Sequence, residues 1–150
     1  MLSESARMSS AAETRFRVQA PTSTARVLTV IALDPASDSV LARLAEGSWH
    51  GARFYPASVL ADQTRNLMEE MTAADMVVMV VAAGSDAHAA ARIGEVCSLK
   101  RVVTTTLVVR AASATDEALS KTLAQVRPWS LMVVIAGDDD YVEGILRSFR

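Results

Sequence analysis

Cysteine is nearly absent from this 150-residue chain, and long apolar runs are absent altogether. The single cysteine, Cys97, excludes an intrachain disulfide, and its apolar neighbours predict a small buried side chain rather than a reactive thiol. The strongest apolar run, 76–83, is far shorter than the roughly 20 residues that a bilayer requires. The first residues also lack the apolar segment of a secretion signal. We therefore expect a cytoplasmic protein without a membrane anchor.

An excess of charge of one sign is also missing. The formal net charge is -2 at pH 7, so nothing in the overall charge favours nucleic acid or an anionic membrane as a partner. Hydrophobic residues make up 51% of the chain and charged residues 21%, a balance typical of a globular protein. Residues 1–24, rich in Ser, Ala, Thr and Arg without a clear period, are interpreted as a disordered tail. Residues 25–150 are predicted to form a single α/β domain.

The common nucleotide-binding and hydrolase motifs are absent. The sequence contains no Gly-x-Gly-x-x-Gly, no Gly-x-x-x-x-Gly-Lys-Ser/Thr and no Gly-x-Ser-x-Gly. Its two histidines, His50 and His88, have no metal-ligating partner at a suitable spacing, so no metal is predicted. A phosphoacceptor receiver domain is excluded because Gly84, rather than an aspartate, follows the third strand, and no lysine follows the fifth. Neither a cofactor nor a catalytic residue can be assigned.

Short apolar runs alternate with stretches of helical periodicity after residue 25. The predicted strands are 26–33, 53–59, 76–81, 101–109 and 131–136, and the predicted helices are 38–44, 60–71, 87–99, 115–125 and 138–149. The uninterrupted apolar run 76–81 is typical of a central parallel strand covered on both faces. This order predicts a doubly wound, mostly parallel five-stranded sheet of Rossmann-like or flavodoxin-like type. We expect helices on both faces and the strand order 2-1-3-4-5.

Three local features are also predicted for these elements: a helix cap, a closely packed glycine and two packing tryptophans. Ser37 or Asp38 is expected to cap the first helix, because both side chains accept hydrogen bonds from backbone N–H groups. Gly94, inside an alanine-rich helix, predicts close packing of that helix on the sheet. Trp49 and Trp129 lie near the amino ends of strands and are interpreted as packing residues.

Ligands of doubly wound sheets bind beyond the carboxyl ends of the strands. The residues at those positions, and therefore the candidate ligand-binding residues, are Asp34, Gly84, Ser85, Asp86, His88, Arg110 and Asp138. For the turn at 83–87, an anion site at the helix start competes with simple capping by Ser85 or Asp86, and the single glycine favours capping. For residues 138–140, Mg²⁺ binding with Asp34 competes with capping of the last helix, which is again favoured.

Residues 75–84 resemble the bacterial tubulin (FtsZ) family, in which an Ala-Asp-Met-Val strand ends in Ala-Gly. Residues 87–99, 101–109 and 118–135 are similar to the helix and strands that follow in that family. The family's glycine-rich loops are replaced here by Asp34-Pro35-Ala36-Ser37 and Ser85-Asp86-Ala87-His88, and its C-terminal domain has no counterpart. The resemblance implies a shortened nucleotide-fold domain that has lost GTP hydrolysis.

Two functional hypotheses remain open. The first is a non-catalytic Rossmann-like regulatory or protein-interaction module, alone or as a subunit of a larger complex. It would bind a protein partner or itself through alanine- and methionine-rich surfaces. The second is a small nucleotide- or phosphate-ligand-binding enzyme that uses the carboxyl edge of the sheet.

Overall fold

The computed structural model describes residues 27–62, 69 and 71–149. The predicted tail, 1–24, lies outside these residues. The described part begins with a buried strand and ends with a short amphipathic helix.

A single sheet of five parallel strands organises the described residues. The strands are β1 (Leu28–Ala32), β2 (Ala52–Tyr55), β3 (Met76–Ala82), β4 (Val103–Val109) and β5 (Met132–Ile135). Their spatial order is β2-β1-β3-β4-β5, which confirms the predicted doubly wound topology. Every residue of β3 is buried, as expected for a central parallel strand between two layers of helices.

Helices cover both faces of the sheet, as predicted. They are α1 (Pro35–Ala45), α2 (Ser58–Asp62), α3 (Ala89–Lys100), α4 (Asp116–Val126) and α5 (Val142–Ser148). Residues 71–73 are also helical, and three-residue 3₁₀ turns occur at 111–113, 127–129 and 139–141.

The core consists of two apolar layers separated by the sheet. On one face, α1 and α5 contribute Val40, Leu44 and Leu146 against alternate residues of β1 and β3. On the other face, α3 and α4 contribute Ile93 and Val126 against the remaining residues. Because successive strand residues point to opposite faces, the uninterrupted apolar strands supply both layers at once.

The start of α1 differs from the prediction. The N-cap is Asp34, not Ser37 or Asp38, and Pro35 occupies the first turn. Proline suits that position because its fixed φ is helical and its missing N–H would have no partner there. The predicted helix 38–44 is therefore too short, because residues 35–37 form the first turn of α1.

The region after β1 also differs in its boundaries. β2 ends at Tyr55 rather than residue 59, because Pro56 cannot donate to the strand ladder. The next helix begins at Ser58. Of the apolar stripe predicted on this helix, Thr64, Leu67 and Met68 lie outside the described residues, whereas Met71 is buried.

Gly94 packs against a side chain rather than against the sheet. A Cβ atom built on Gly94 would lie 2.6 Å from Cβ of Trp129, in the 3₁₀ turn that precedes β5. The packing role of Trp129 is confirmed, and Trp49 likewise packs edge-on against Phe54 with ring centroids 5.3 Å apart. The buried position predicted for Cys97 is also confirmed.

Candidate functional site

The predicted site residues all follow the carboxyl ends of strands. Asp34 follows β1, residues 84–88 follow β3, Arg110 follows β4 and Asp138 follows β5. Their placement at one edge of the sheet agrees with the prediction, whereas their role in binding a ligand stays a prediction. Their hydrogen bonds within the protein indicate which of these residues are still able to bind a ligand.

The loop between β3 and α3 has its backbone N–H groups engaged within the protein. Gly84, which has a φ of 91°, donates its N–H to the Thr122 hydroxyl at 2.9 Å. Ser85 donates to the Ala82 carbonyl, and Ala87 donates to Oε1 of Gln125 at 2.7 Å. An anion at this loop would have to displace bonds that already satisfy these donors. The loop is therefore interpreted as a structural turn, which Thr122 and Gln125 of α4 hold in place.

Asp86 and His88 form the exposed rim of the same loop. Asp86 accepts the backbone N–H of His88, and its Oδ2 lies 2.6 Å from Nδ1 of the His88 ring. The amide of Gln125 also donates to Asp86 at 2.8 Å. Hydrogen bonds from Gln125 and then from His88 lower the pKa of the Asp86 carboxyl. The predicted capping of α3 by Ser85 or Asp86 was therefore wrong: the N-cap is His88, without a side-chain capping bond, and Asp86 accepts the His88 N–H just before the helix begins.

Asp34 connects the ends of two neighbouring strands. It is 5% exposed, and its Oδ1 accepts the Ser37 hydroxyl at 2.6 Å and the Ala82 N–H at 3.2 Å. Its Oδ2 is buried and has no hydrogen-bond partner among the described residues. A carboxylate this deeply enclosed cannot contact a ligand in solvent, so Asp34 joins β1 and α1 to β3.

Arg110 links three elements over the end of β4. Its backbone is left-handed, with a φ of 58°. Its guanidinium donates from Nε to Asp139 at 3.3 Å and from the terminal nitrogen Nη2 to the Ser39 hydroxyl at 3.1 Å. Through these two bonds the side chain ties α1 to the turn after β5.

The three aspartates after β5 have separate structural surroundings. Asp138 accepts the Asp140 N–H and caps the 3₁₀ turn, whereas Asp139 pairs with Arg110. No group of three or more His, Cys, Asp or Glu residues within 27–62 and 71–149 is arranged to hold a metal ion. The favoured interpretation, capping of the last helix, was wrong in its target: Asp138 caps the 3₁₀ turn, whereas the N-cap of α5 is Tyr141, which makes no side-chain capping bond.

A cleft of about 450 Å³ lies beyond the carboxyl ends of the paired strands β1 and β3, at the topological switch point where α1 and α3 leave toward opposite faces of the sheet. The cleft is lined by Leu33, Pro35, Asp38, Ala57, Ser58, Leu60, His88, Ala89 and Arg92. Asp38 accepts the Ala57 N–H at 2.7 Å, which fixes one wall to α1. His88 and Arg92 line the opposite rim. Of the predicted residues, only His88 lines this cleft.

The edge strand β5 is the most exposed apolar feature of the sheet. Met132 and Ile135 are 43% and 47% exposed, and the flanking Leu131 and Tyr141 are 77% and 67% exposed. Strand β4 pairs with one side of β5, and no strand among the described residues pairs with the other side. The sequence predicted this strand. Its position at the end of the sheet, which leaves one side of the strand exposed, is seen only in the structure.

Sequence reasoning missed the residues that hold the carboxyl edge together. Thr122 and Gln125 lie on α4 about 38 positions from the loop that they hold, and Ser39 lies 71 positions from Arg110. Thr122 carried one usable signal, because it is a polar residue on the apolar stripe formed with Leu119, Leu123 and Val126.

No protein-family model matches the chain, and a comparison with curated proteins finds no match either. Within the described ranges, no helix combines the length and the apolar character needed to cross a membrane. The geometry of the fold therefore carries the functional argument.

Proposed function

We propose that the chain is a non-catalytic, Rossmann-like protein-interaction module that binds its partner through the open edge of β5. The observation that carries this proposal is a strand with exposed Met132 and Ile135 and no neighbour on its outer side among the described residues. Exposed strand edges are ready templates for pairing with another chain. A regulatory role and a cytoplasmic location stay predictions.

The internal use of the carboxyl-edge groups supports the non-catalytic part of the proposal. Asp34 is enclosed, Arg110 is held by Asp139 and Ser39, and α4 satisfies the Gly84 and Ala87 amides of the β3–α3 loop. A nucleophile or general base needs a reactive atom within reach of a substrate. The side chains of Asp34 and Arg110 are instead engaged in positioning neighbouring elements.

Photo-crosslinking in the cells of origin tests the interaction function. A photoreactive phenylalanine analogue replaces Ile135 in the full chain, and a matched control carries it at Leu99, which is 82% exposed on α3. We expect irradiation to join a second protein chain to position 135 and not to position 99. Equal labelling of both positions, or no adduct at either, would contradict the proposal.

A second candidate function is the binding of a small anionic ligand in the switch-point cleft. The observation that favours it is the position of the cleft, because open α/β sheets bind ligands at this crevice. Arg92 and His88 would face the anionic group, and Leu33 and Leu60 would contact its apolar part. The resemblance to the FtsZ family adds guanine nucleotides to the ligands worth testing.

A thermal-shift panel of nucleotides, flavins and inorganic phosphate tests this second function. A ligand present at about 100 times its Kd stabilises the protein by about 2.7 kcal/mol and raises Tm. We expect the shift to be lost in Arg92→Ala and kept in Arg43→Ala, which alters an exposed arginine outside the cleft. Unchanged melting temperatures across the whole panel would remove this candidate.

A further inference from the structure

The backbone of β5 has a defined outer side. The Ala136 N–H donates to the Val108 carbonyl at 2.8 Å, and the Ala136 carbonyl accepts from Ala111, so Ala136 faces β4. Strand residues alternate in the side to which their N–H and C=O groups point. Val133 and Ile135 therefore direct their backbone polar groups away from β4, toward the open side of the sheet.

The two edges of the sheet differ in their protection. The opposite edge, β2, contains Arg53 and is followed at once by Pro56, and both residue types discourage strand pairing. The run from Leu131 to Ile135 has no charge, no proline and no glycine. Only the β5 edge therefore combines outward-pointing backbone groups with exposed apolar side chains.

We propose that the occupant of this edge is a second copy of the chain, paired antiparallel across β5 about a two-fold axis. The inference rests on the proposed interaction function and names its partner. In such a pair the two five-stranded sheets become one continuous sheet of ten strands. Centring the pairing on Val133 places Leu131 of each copy opposite Ile135 of the other, on one face, since opposed residues of antiparallel strands share a face.

Charge at the two ends of β5 favours a second copy in this orientation. Arg127 is exposed in the 3₁₀ turn that begins five residues before the strand, and Asp140 is exposed in the 3₁₀ turn five residues after it. Neither side chain forms an ion pair with another described residue. Antiparallel pairing brings Arg127 of each copy close to Asp140 of the other copy. The two-fold axis therefore produces the same pair of opposite charges at both ends of the interface. A two-fold interface requires this self-complementarity.

The first test is the mass of the purified full chain in solution. Sedimentation or light scattering over a concentration series should give twice the 16.0 kDa of one chain. Ile135→Lys, which places a charge on the edge, should give the mass of one chain at the same concentrations. Leu99→Lys, with the same change on an exposed residue of α3, should behave like wild type.

A charge-swap experiment tests the partner and the orientation together. Arg127→Glu sets Glu against Asp140, and Asp140→Lys sets Lys against Arg127, so each variant alone should raise the dimer Kd by about tenfold. Mixing the two variants restores opposite charges at both contacts and should restore a Kd close to that of wild type. Arg43→Glu changes the net charge equally on α1 and should leave the Kd unaltered.

The outcomes separate this inference from the proposed function. Restoration by mixing supports the antiparallel second copy. A wild-type chain that stays monomeric while position 135 crosslinks to a different protein overturns self-pairing and leaves the interaction function intact. An adduct of single-chain mass that joins position 135 to residues 1–26 identifies the chain's own N-terminal segment as the occupant and overturns both. A dimer that Ile135→Lys does not weaken also overturns self-pairing at β5.

Discussion

At the scale of single residues, the contact between Gly94 and Trp129 joins α3 to the turn that precedes the last strand. The indole of Trp129 lies where a side chain at position 94 would project, so α3 approaches the turn before β5 closely. That turn leads directly into Leu131 and the open edge. The packing of one glycine therefore helps to set the position of the surface to which we assign binding.

Gly94→Ala is expected to destabilise the fold. The new methyl group would lie 2.6 Å from Cβ of Trp129, which is attached to the backbone and cannot rotate away. Overpacking of this kind costs about 1–3 kcal/mol in the free energy of unfolding, measured by chemical denaturation. Gly144→Ala is the matched control, because nothing lies within 4 Å of its added Cβ. The control should gain about 0.5–1 kcal/mol, and equal effects of both changes would contradict the prediction.

Cys97 is expected to be unreactive in the native protein. Burial raises the pKa of its thiol from 9.0 to about 11, which lowers the thiolate fraction at pH 8 about 100-fold. Labelling by a disulfide reagent should be slow in buffer and fast in denaturant, with the native rate rising as pH approaches 11. Because the unfolded thiol ionises first, its contribution to stability falls as pH rises from 9.0 toward 11. Rapid labelling of the folded chain at pH 8 would be the contrary result.

At the scale of secondary-structure elements, α4 is a clamp on the β3–α3 loop. The Thr122 hydroxyl accepts the Gly84 N–H and lies 3.1 Å from the Ser85 carbonyl, to which it can donate. Gln125 bridges Ala87 and Asp86 in the same way, one turn further along the helix. A helix that packs on the sheet thus also fixes a loop at the sheet's edge.

Thr122→Val is expected to loosen this loop. Valine keeps the shape of threonine but leaves the Gly84 N–H without its acceptor, at a cost of about 1–3 kcal/mol. Hydrogen exchange at the Gly84 amide should accelerate, whereas Thr122→Ser should retain both its slow exchange and the stability of wild type. If the valine variant exchanges as slowly as wild type, the clamp does not operate as described.

The elements that could be predicted are those encoded by local patterns. The apolar run 76–81 identified the central strand because continuous burial leaves a continuous signal, and the alternation of strands and helices identified the sheet order. The start of α1 was not predicted, because Pro35 was interpreted as part of the break after the strand and not as a residue of the first helical turn. The bonds of Gly84 to Thr122 and of Arg110 to Ser39 and Asp139 could not be predicted, because the partners lie 29 to 71 positions apart. A local sequence pattern contains no information about partners so far apart along the chain, because only the fold brings them together.

At the scale of the whole molecule, helices cover both faces of the described sheet, and only its two edge strands are left uncovered. Apolar layers from α1 and α5 on one face and α3 and α4 on the other leave β2 and β5 as the two uncovered strands among the described residues. Association through β5 therefore extends the sheet without rearranging either layer.

The stability of the whole protein should depend on its concentration. If two copies share a sheet, the pair dissociates when it unfolds, so each tenfold increase in concentration stabilises the dimer by about 1.4 kcal/mol. The Tm of wild type should rise over such a series, and the Tm of Ile135→Lys should stay constant. A wild-type Tm that is independent of concentration would argue against the dimer.

The charged and proline-bounded β2 also determines how large an assembly of this chain can become. In the proposed dimer each copy has already used β5, so both outer margins of the shared sheet are β2 strands with Arg53 exposed and Pro56 adjacent. A third copy finds no compatible strand, and growth into a fibre ends at two subunits. The arginine and proline thereby act as a terminator of polymerisation, and replacing both would remove the main barrier to strand-by-strand elongation.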